Sequence, residues 1–140
     1  MIQIISGEKG RGKTKILIEK ANNEAKAAHG NIVYLDKSNK HMYELSNKIR
    51  LVNVQDHFIS NYSEFLGYID GIISCDHDLQ AVFLDSFLKI AYISNNEILE
   101  EVLGKLSKMS DHFKVDFIIS LSRNYDQLPE SIQKYVTVSL

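Results

Sequence analysis

Eight consecutive residues, Gly7-Glu8-Lys9-Gly10-Arg11-Gly12-Lys13-Thr14, set three glycines, a terminal lysine and a hydroxyl at a spacing suited to holding a row of phosphates. A loop that wraps a polyphosphate must turn successive backbone N–H groups inward. The angles and close approach this needs come cheaply only from glycine. Gly7, Gly10 and Gly12 supply that freedom. Lys13 is spaced to reach the outer phosphates as a point charge, and the Thr14 hydroxyl to join phosphate oxygens and water around a Mg²⁺ ion.

Glycine, four residues, then Gly-Lys-Thr is the phosphate-binding P-loop, or Walker A, pattern, and it carries meaning only between a strand and a helix. Ile2-Gln3-Ile4-Ile5 is the short apolar run before it. After it, from about Lys13, Leu17, Ala21, Ala25 and Ala28 recur at helical spacing, with Gly30 as the expected stop. A helix starting there would aim its free N–H groups and positive dipole end at the phosphates. The nucleotide-contacting set expected from this segment is Gly7, Glu8, Lys9, Gly10, Arg11, Gly12, Lys13, Thr14 and Lys15, with a nucleoside triphosphate as ligand. The Arg11 side chain itself reads as a surface charge, and that of Lys13 as exposed when no ligand is bound.

A triphosphate site with Mg²⁺ also needs a carboxylate on a rigid element. Ala81-Val82-Phe83-Leu84-Asp85 is a compact apolar strand ending in an acid, the Walker B pattern, which makes Asp85 with Thr14 the expected metal-holding pair. Ser86 follows where a water-activating glutamate would be useful, so a catalytic base must come from elsewhere. Asp36 ends the apolar run Asn31-Ile32-Val33-Tyr34-Leu35 and is the best substitute by position, with a simple turn aspartate as its other meaning. Lys13, Asp36 and Asp85 are thus the candidate catalytic residues.

The elements that must position these groups follow in order. A short helical pattern surrounds Met42, Leu45 and Ile49, and Leu51–Val54 reads as a strand. Tyr62, Phe65, Leu66, Ile69, Ile72 and Ile73 share one helix face. Ser94 and Glu97 have capping-box spacing before a helix through Ile98, Val102, Leu106 and Met109. Phe117–Leu121 is another buried strand and Tyr135–Leu140 a terminal one. Strands that are apolar throughout and alternate with helices predict an α/β fold, a mostly parallel sheet covered on both faces. In such sheets ligands sit at the carboxyl ends of the strands, where Asp36, Asp85 and Ser122 fall.

This order of elements resembles the RecA/DnaB superfamily core of P-loop ATPases. Leu84-Asp85-Ser86 is similar to the Val-Asp-Ser of that family's Walker B strand, and Ile118-Ile119-Ser120-Leu121-Ser122-Arg123 to its sensor strand. The resemblance implies a RecA-like three-layer sandwich, Mg²⁺-dependent ATP binding and hydrolysis, Ser122 and Arg123 near the γ-phosphate, and Asp36 at the place of the family's acidic residue after the second strand. It also makes a homo-oligomer or a larger protein partner plausible. Arg123–Tyr135 is short for a DNA-binding loop, so DNA recombination or unwinding is not carried over.

The whole chain bounds these expectations. At 140 residues it predicts one domain, residues 1–140, with 44% apolar and 24% charged residues as in an ordinary globular protein. A net charge of −2 advertises neither nucleic acid nor an anionic membrane, and no apolar run has transmembrane length, so a cytoplasmic protein is expected. Cys75, the one cysteine, reads as a small buried or half-buried apolar residue, and the five histidines, among them His57, His77 and His112, lack metal-ligand spacing. With only Arg11, Arg50 and Arg123, no arginine-rich lid of a small-molecule kinase is present. No guanine-reading Asn-Lys-x-Asp occurs, and Asp85-Ser86-Phe87-Leu88 is not the Asp-x-x-Gly of a GTPase. The main rival to a slow or partner-activated ATPase is a non-catalytic ATP-sensing module.

Overall fold

A computed structural model describes residues 1–140. Its strands are β1 (Ile2–Ser6), β2 (Asn31–Asp36), β3 (Ile49–Asn53), β4 (Leu79–Leu84), β5 (Asp116–Leu121) and β6 (Val136–Ser139). Its helices are α1 (Lys13–Ala27), α2 (Tyr62–Cys75), α3 (Phe87–Ile90), α4 (Asn96–Phe113) and α5 (Glu130–Gln133). The strands form one six-stranded sheet in the order β3-β2-β4-β5-β1-β6, every pair parallel.

The continuous apolar strands follow from two separate cores. Val33 and Leu35 of β2, Val82 and Leu84 of β4, and Phe117, Ile119 and Leu121 of β5 face the larger core under α2, α4 and the short helices. The alternate residues, Ile32 and Tyr34, Ala81 and Phe83, and Ile118, face the smaller core under α1 with Leu17, Ala21 and Ala25. Successive strand side chains point to opposite faces, so covering both faces demands apolar residues at every position. The chain leaving β1 runs to the α1 face, and the chain leaving β4 to the other. Divergence of that kind opens a crevice above the carboxyl ends of the strands.

Several local expectations are corrected. Residues 37–48 form turns instead of a helix, and Ile49 opens β3. Asn22 on α1 holds this segment by donating to the Glu44 carbonyl at 2.9 Å and accepting from Ser46 N at 2.8 Å. Such a short polar stretch makes too few helical bonds to offset nucleation. The N-cap of α4 is Asn95 instead of Ser94, its side chain accepting from Ile98 N at 2.8 Å. Gly30 does not stop α1, whose C-cap is Ala28. It lies where the chain passes Asp78, and a Cβ there would come within 2.3 Å of the Asp78 carbonyl oxygen. Cys75, at the end of α2, is exposed. No helix is long and apolar enough to cross a membrane.

Candidate functional site

The loop between β1 and α1 is anchored at its base. Gly7 N–H donates to the carbonyls of Arg123 at 2.9 Å and Leu121 at 3.3 Å, fixing the loop to the chain leaving β5. Gly10 and Gly12 take φ of 87° and 90°, the left-handed region that L side chains rarely enter. Gly12 is the N-cap of α1 and no side chain caps that end, which leaves the first-turn N–H groups to an outside acceptor.

Lys13 is the point at which the structure departs from the expected exposed lysine. It is 7% exposed, and its Nζ donates to the Glu8 carbonyl at 2.8 Å, so the side chain folds back over its own loop. Glu8 is held in turn by Asn124 Nδ2 at 2.9 Å. Burial lowers the Lys13 pKa, partly opposed by the negative charge of Asp85.

Asp85 is buried just beyond β4 and is the hub of the site. Its Oδ1 accepts from Ser120 Oγ at 2.8 Å, Ser86 N at 2.9 Å and Thr14 Oγ1 at 3.1 Å. Its Oδ2 accepts from the Tyr34 hydroxyl at 2.8 Å. Strand register brings these groups together. Tyr34 pairs with Phe83 and Leu84 with Ile119, so Tyr34, Asp85 and Ser120 all project to the α1 face. The Tyr34 ring stacks on Phe83 with centroids 6.2 Å apart. Burial first, and then Asp85, raise the Tyr34 pKa far above its usual value and keep the phenol a donor.

Asp36, 3% exposed, ends β2 and accepts from Lys37 N at 2.7 Å through Oδ1. Burial raises its pKa, the charge of Asp85 adds to the rise, and the Lys37 amide, His41 and the Lys37 charge oppose it.

These groups line a cleft of about 580 Å³ whose walls contain a single hydrophobic residue, Leu88. Lys9, Gly10, Gly12, Lys13, Thr14, Asp36, Asp85 and Ser122 of the expected set reach it. Gly7, Glu8, Arg11, Lys15 and Arg123 do not line it, although Gly7, Glu8 and Arg123 brace the loop. Sequence reasoning missed Lys37, Ser38, Lys40, His41, Lys89 and Ser120 in the lining, and Tyr34 behind Asp85. No cluster of three or more His, Cys, Asp or Glu side chains could hold a metal. The oxygen pair Thr14 and Asp85 suits Mg²⁺, which takes one or two protein oxygens and completes its shell with phosphate and water.

No protein-family model matches the chain, and no curated protein matches it in sequence. Among solved structures, a KaiC-like protein from the hyperthermophilic archaeon Pyrococcus horikoshii superposes with a TM-score of 0.62 at 18% sequence identity. The match covers 96% of this chain and 66% of that one, so this chain spans just under two thirds of its neighbour's length. At that identity the likeness is one of fold alone, an α/β architecture that in this chain is an all-parallel six-stranded sheet.

Proposed function

We propose that this protein is a Mg²⁺-dependent ATP-binding P-loop protein working as a slow or partner-activated ATPase. The observation that carries the proposal is the Thr14–Asp85 contact at 3.1 Å, which sets a Walker-type hydroxyl and carboxylate side by side at the floor of a lysine-rich cleft. Bound Mg²⁺ would supply charge neutralisation on the β- and γ-phosphates. Thr14 would exchange its bond to Asp85 for the metal, and Asp85 would stay aligned by Ser120, the Ser86 amide and Tyr34. Lys13 would leave the Glu8 carbonyl for the phosphates. Gly10, Gly12 and the uncapped start of α1 would direct N–H groups at the same oxygens.

Catalysis in this arrangement is positioning plus electrostatic stabilisation. Asp36, with a raised pKa and a place on the cleft wall, would orient the attacking water. A neighbouring subunit or a larger protein partner would accelerate the step, and a cytoplasmic setting would supply ATP and Mg²⁺. A second reading, an ATP-sensing module without turnover, is favoured by the fact that Asp36 Oδ1 already accepts from the Lys37 amide. Phosphate release by wild type and Asp36→Ala separates the two. Turnover lost in Asp36→Ala with ATP binding retained supports the ATPase; no turnover in either protein supports the sensor.

A further inference from the structure

The cleft carries more positive charge than one metal-bound triphosphate uses. Five lysines, Lys9, Lys13, Lys37, Lys40 and Lys89, line it against two carboxylates, Asp36 and Asp85. The ion pairs of the protein are Met1 with Asp116 and His41 with Glu44, so none of these lysines is spent in a salt bridge. Lys13, the glycine loop and the start of α1 already serve a triphosphate, and the metal cancels half of that ligand's charge. Lys37, Lys40 and Lys89 stand elsewhere. Lys37 and Lys40 follow β2, and Lys89 lies on α3 beyond β4. In the sheet order β2-β4-β5-β1, the strand leading to Lys37 lies about 14 Å from the strand leading to the glycine loop, at roughly 4.8 Å per strand. Lining on this side is polar as well, with Ser38 beside the lysines.

We infer that the β2 side of the cleft is a second anion subsite, built by Lys37 and Lys40 to take the phosphoryl group of a small molecule while the nucleotide occupies the glycine loop. This rests on the nucleotide reading above and adds a second ligand to it. Two sources share that chemistry: orthophosphate held after release, and the phosphate of a second, phosphorylated substrate. Asp36 lies on the same wall, so either ligand would sit beside the one cleft carboxylate outside the Thr14–Asp85 pair.

The test is calorimetry on the full chain, first with Mg²⁺ and the non-hydrolysable analogue AMP-PNP, then with orthophosphate or glycerol 3-phosphate added to the saturated complex. One further equivalent of phosphate is expected to bind. The double substitution Lys37→Ala, Lys40→Ala should weaken that step at least about tenfold, as loss of charge-assisted contacts implies, while AMP-PNP still binds one equivalent at near wild-type affinity. Retained AMP-PNP binding also shows that the variant is folded. Binding of orthophosphate alone identifies a product subsite; binding of both probes identifies a second-substrate subsite. No second uptake, or an equal loss of AMP-PNP affinity in the variant, overturns the inference and returns the lysines to the nucleotide. Failure of AMP-PNP to bind wild type removes the nucleotide reading and the second subsite together.

Discussion

The Tyr34 hydroxyl donates to Oδ2 of Asp85 at 2.8 Å in a fully buried contact that ties β2 to the residue ending β4. It occupies Oδ2, while Oδ1 accepts from Thr14, Ser120 and the Ser86 amide. Tyr34→Phe would keep the ring stacked on Phe83 but leave Oδ2 buried without a donor. The expected cost is about 1–3 kcal/mol in urea unfolding, with weaker binding of Mg²⁺–nucleotide and little change in Mg²⁺-free binding. Unchanged stability together with unchanged Mg²⁺ dependence would show that the contact orients nothing.

Lys13→Ala is predicted to abolish ATP binding while the fold persists. The side chain's partner in the ligand-free protein is a single loop carbonyl, that of Glu8, and loss of such a bond costs about 0.5–1.5 kcal/mol. Nucleotide titration and a thermal melt of the same sample check both halves. ATP binding as tight as in wild type would refute the role given to the loop.

Asp36 gives a prediction with a sign in pH. Burial and the neighbouring Asp85 raise its pKa above the ordinary 3.8, so the folded protein holds the proton more tightly than the unfolded chain. Stability from this group is therefore full below about 3.8 and is lost as pH rises through the raised folded value. Asp36→Asn keeps an oxygen for the Lys37 amide and removes the charge. It should melt higher than wild type at pH 7, with the gain shrinking toward pH 4, and phosphate release should fall by roughly a hundredfold or more. A variant that melts lower at pH 7 would mean that the charge of Asp36 is stabilising.

Two glycines should fail differently. Gly30→Ala forces a Cβ to 2.3 Å from the Asp78 carbonyl oxygen, and an expected loss of about 1–3 kcal/mol in stability leaves nucleotide affinity intact. Gly10→Ala meets no atom within 4 Å but must hold a φ of 87°, so its penalty is conformational, roughly 1–2 kcal/mol, and falls on the loop. ATP titrations of the two variants should therefore diverge, Gly10→Ala weakened and Gly30→Ala not.

The sheet was legible because a doubly covered parallel strand leaves a plain trace: Ile32 to Leu35 and Ala81 to Leu84 are apolar at every position, and each run ends in an acid. Strand order was not legible, since nothing local in β5 tells that it runs between β1 and β4. Met42, Leu45 and Ile49 misled for a related reason. Of the three, Leu45 and Ile49 are buried, but in a turn and in a strand, each tied down by the α1 face. Tyr34 escaped notice because a tyrosine inside an apolar run reads as core, and only the register β2–β4 aims its hydroxyl at Asp85. Lys37, Lys40 and Lys89 are unremarkable as lysines in the chain and share one cleft only once the sheet brings the ends of β2 and β4 side by side.

The most direct measurement is titration of wild type with ATP in the presence and absence of Mg²⁺, followed by phosphate release in the same samples over hours. One equivalent bound, more tightly with Mg²⁺ and followed by slow release, is the result the proposed function predicts. No binding, or binding indifferent to Mg²⁺, would contradict it.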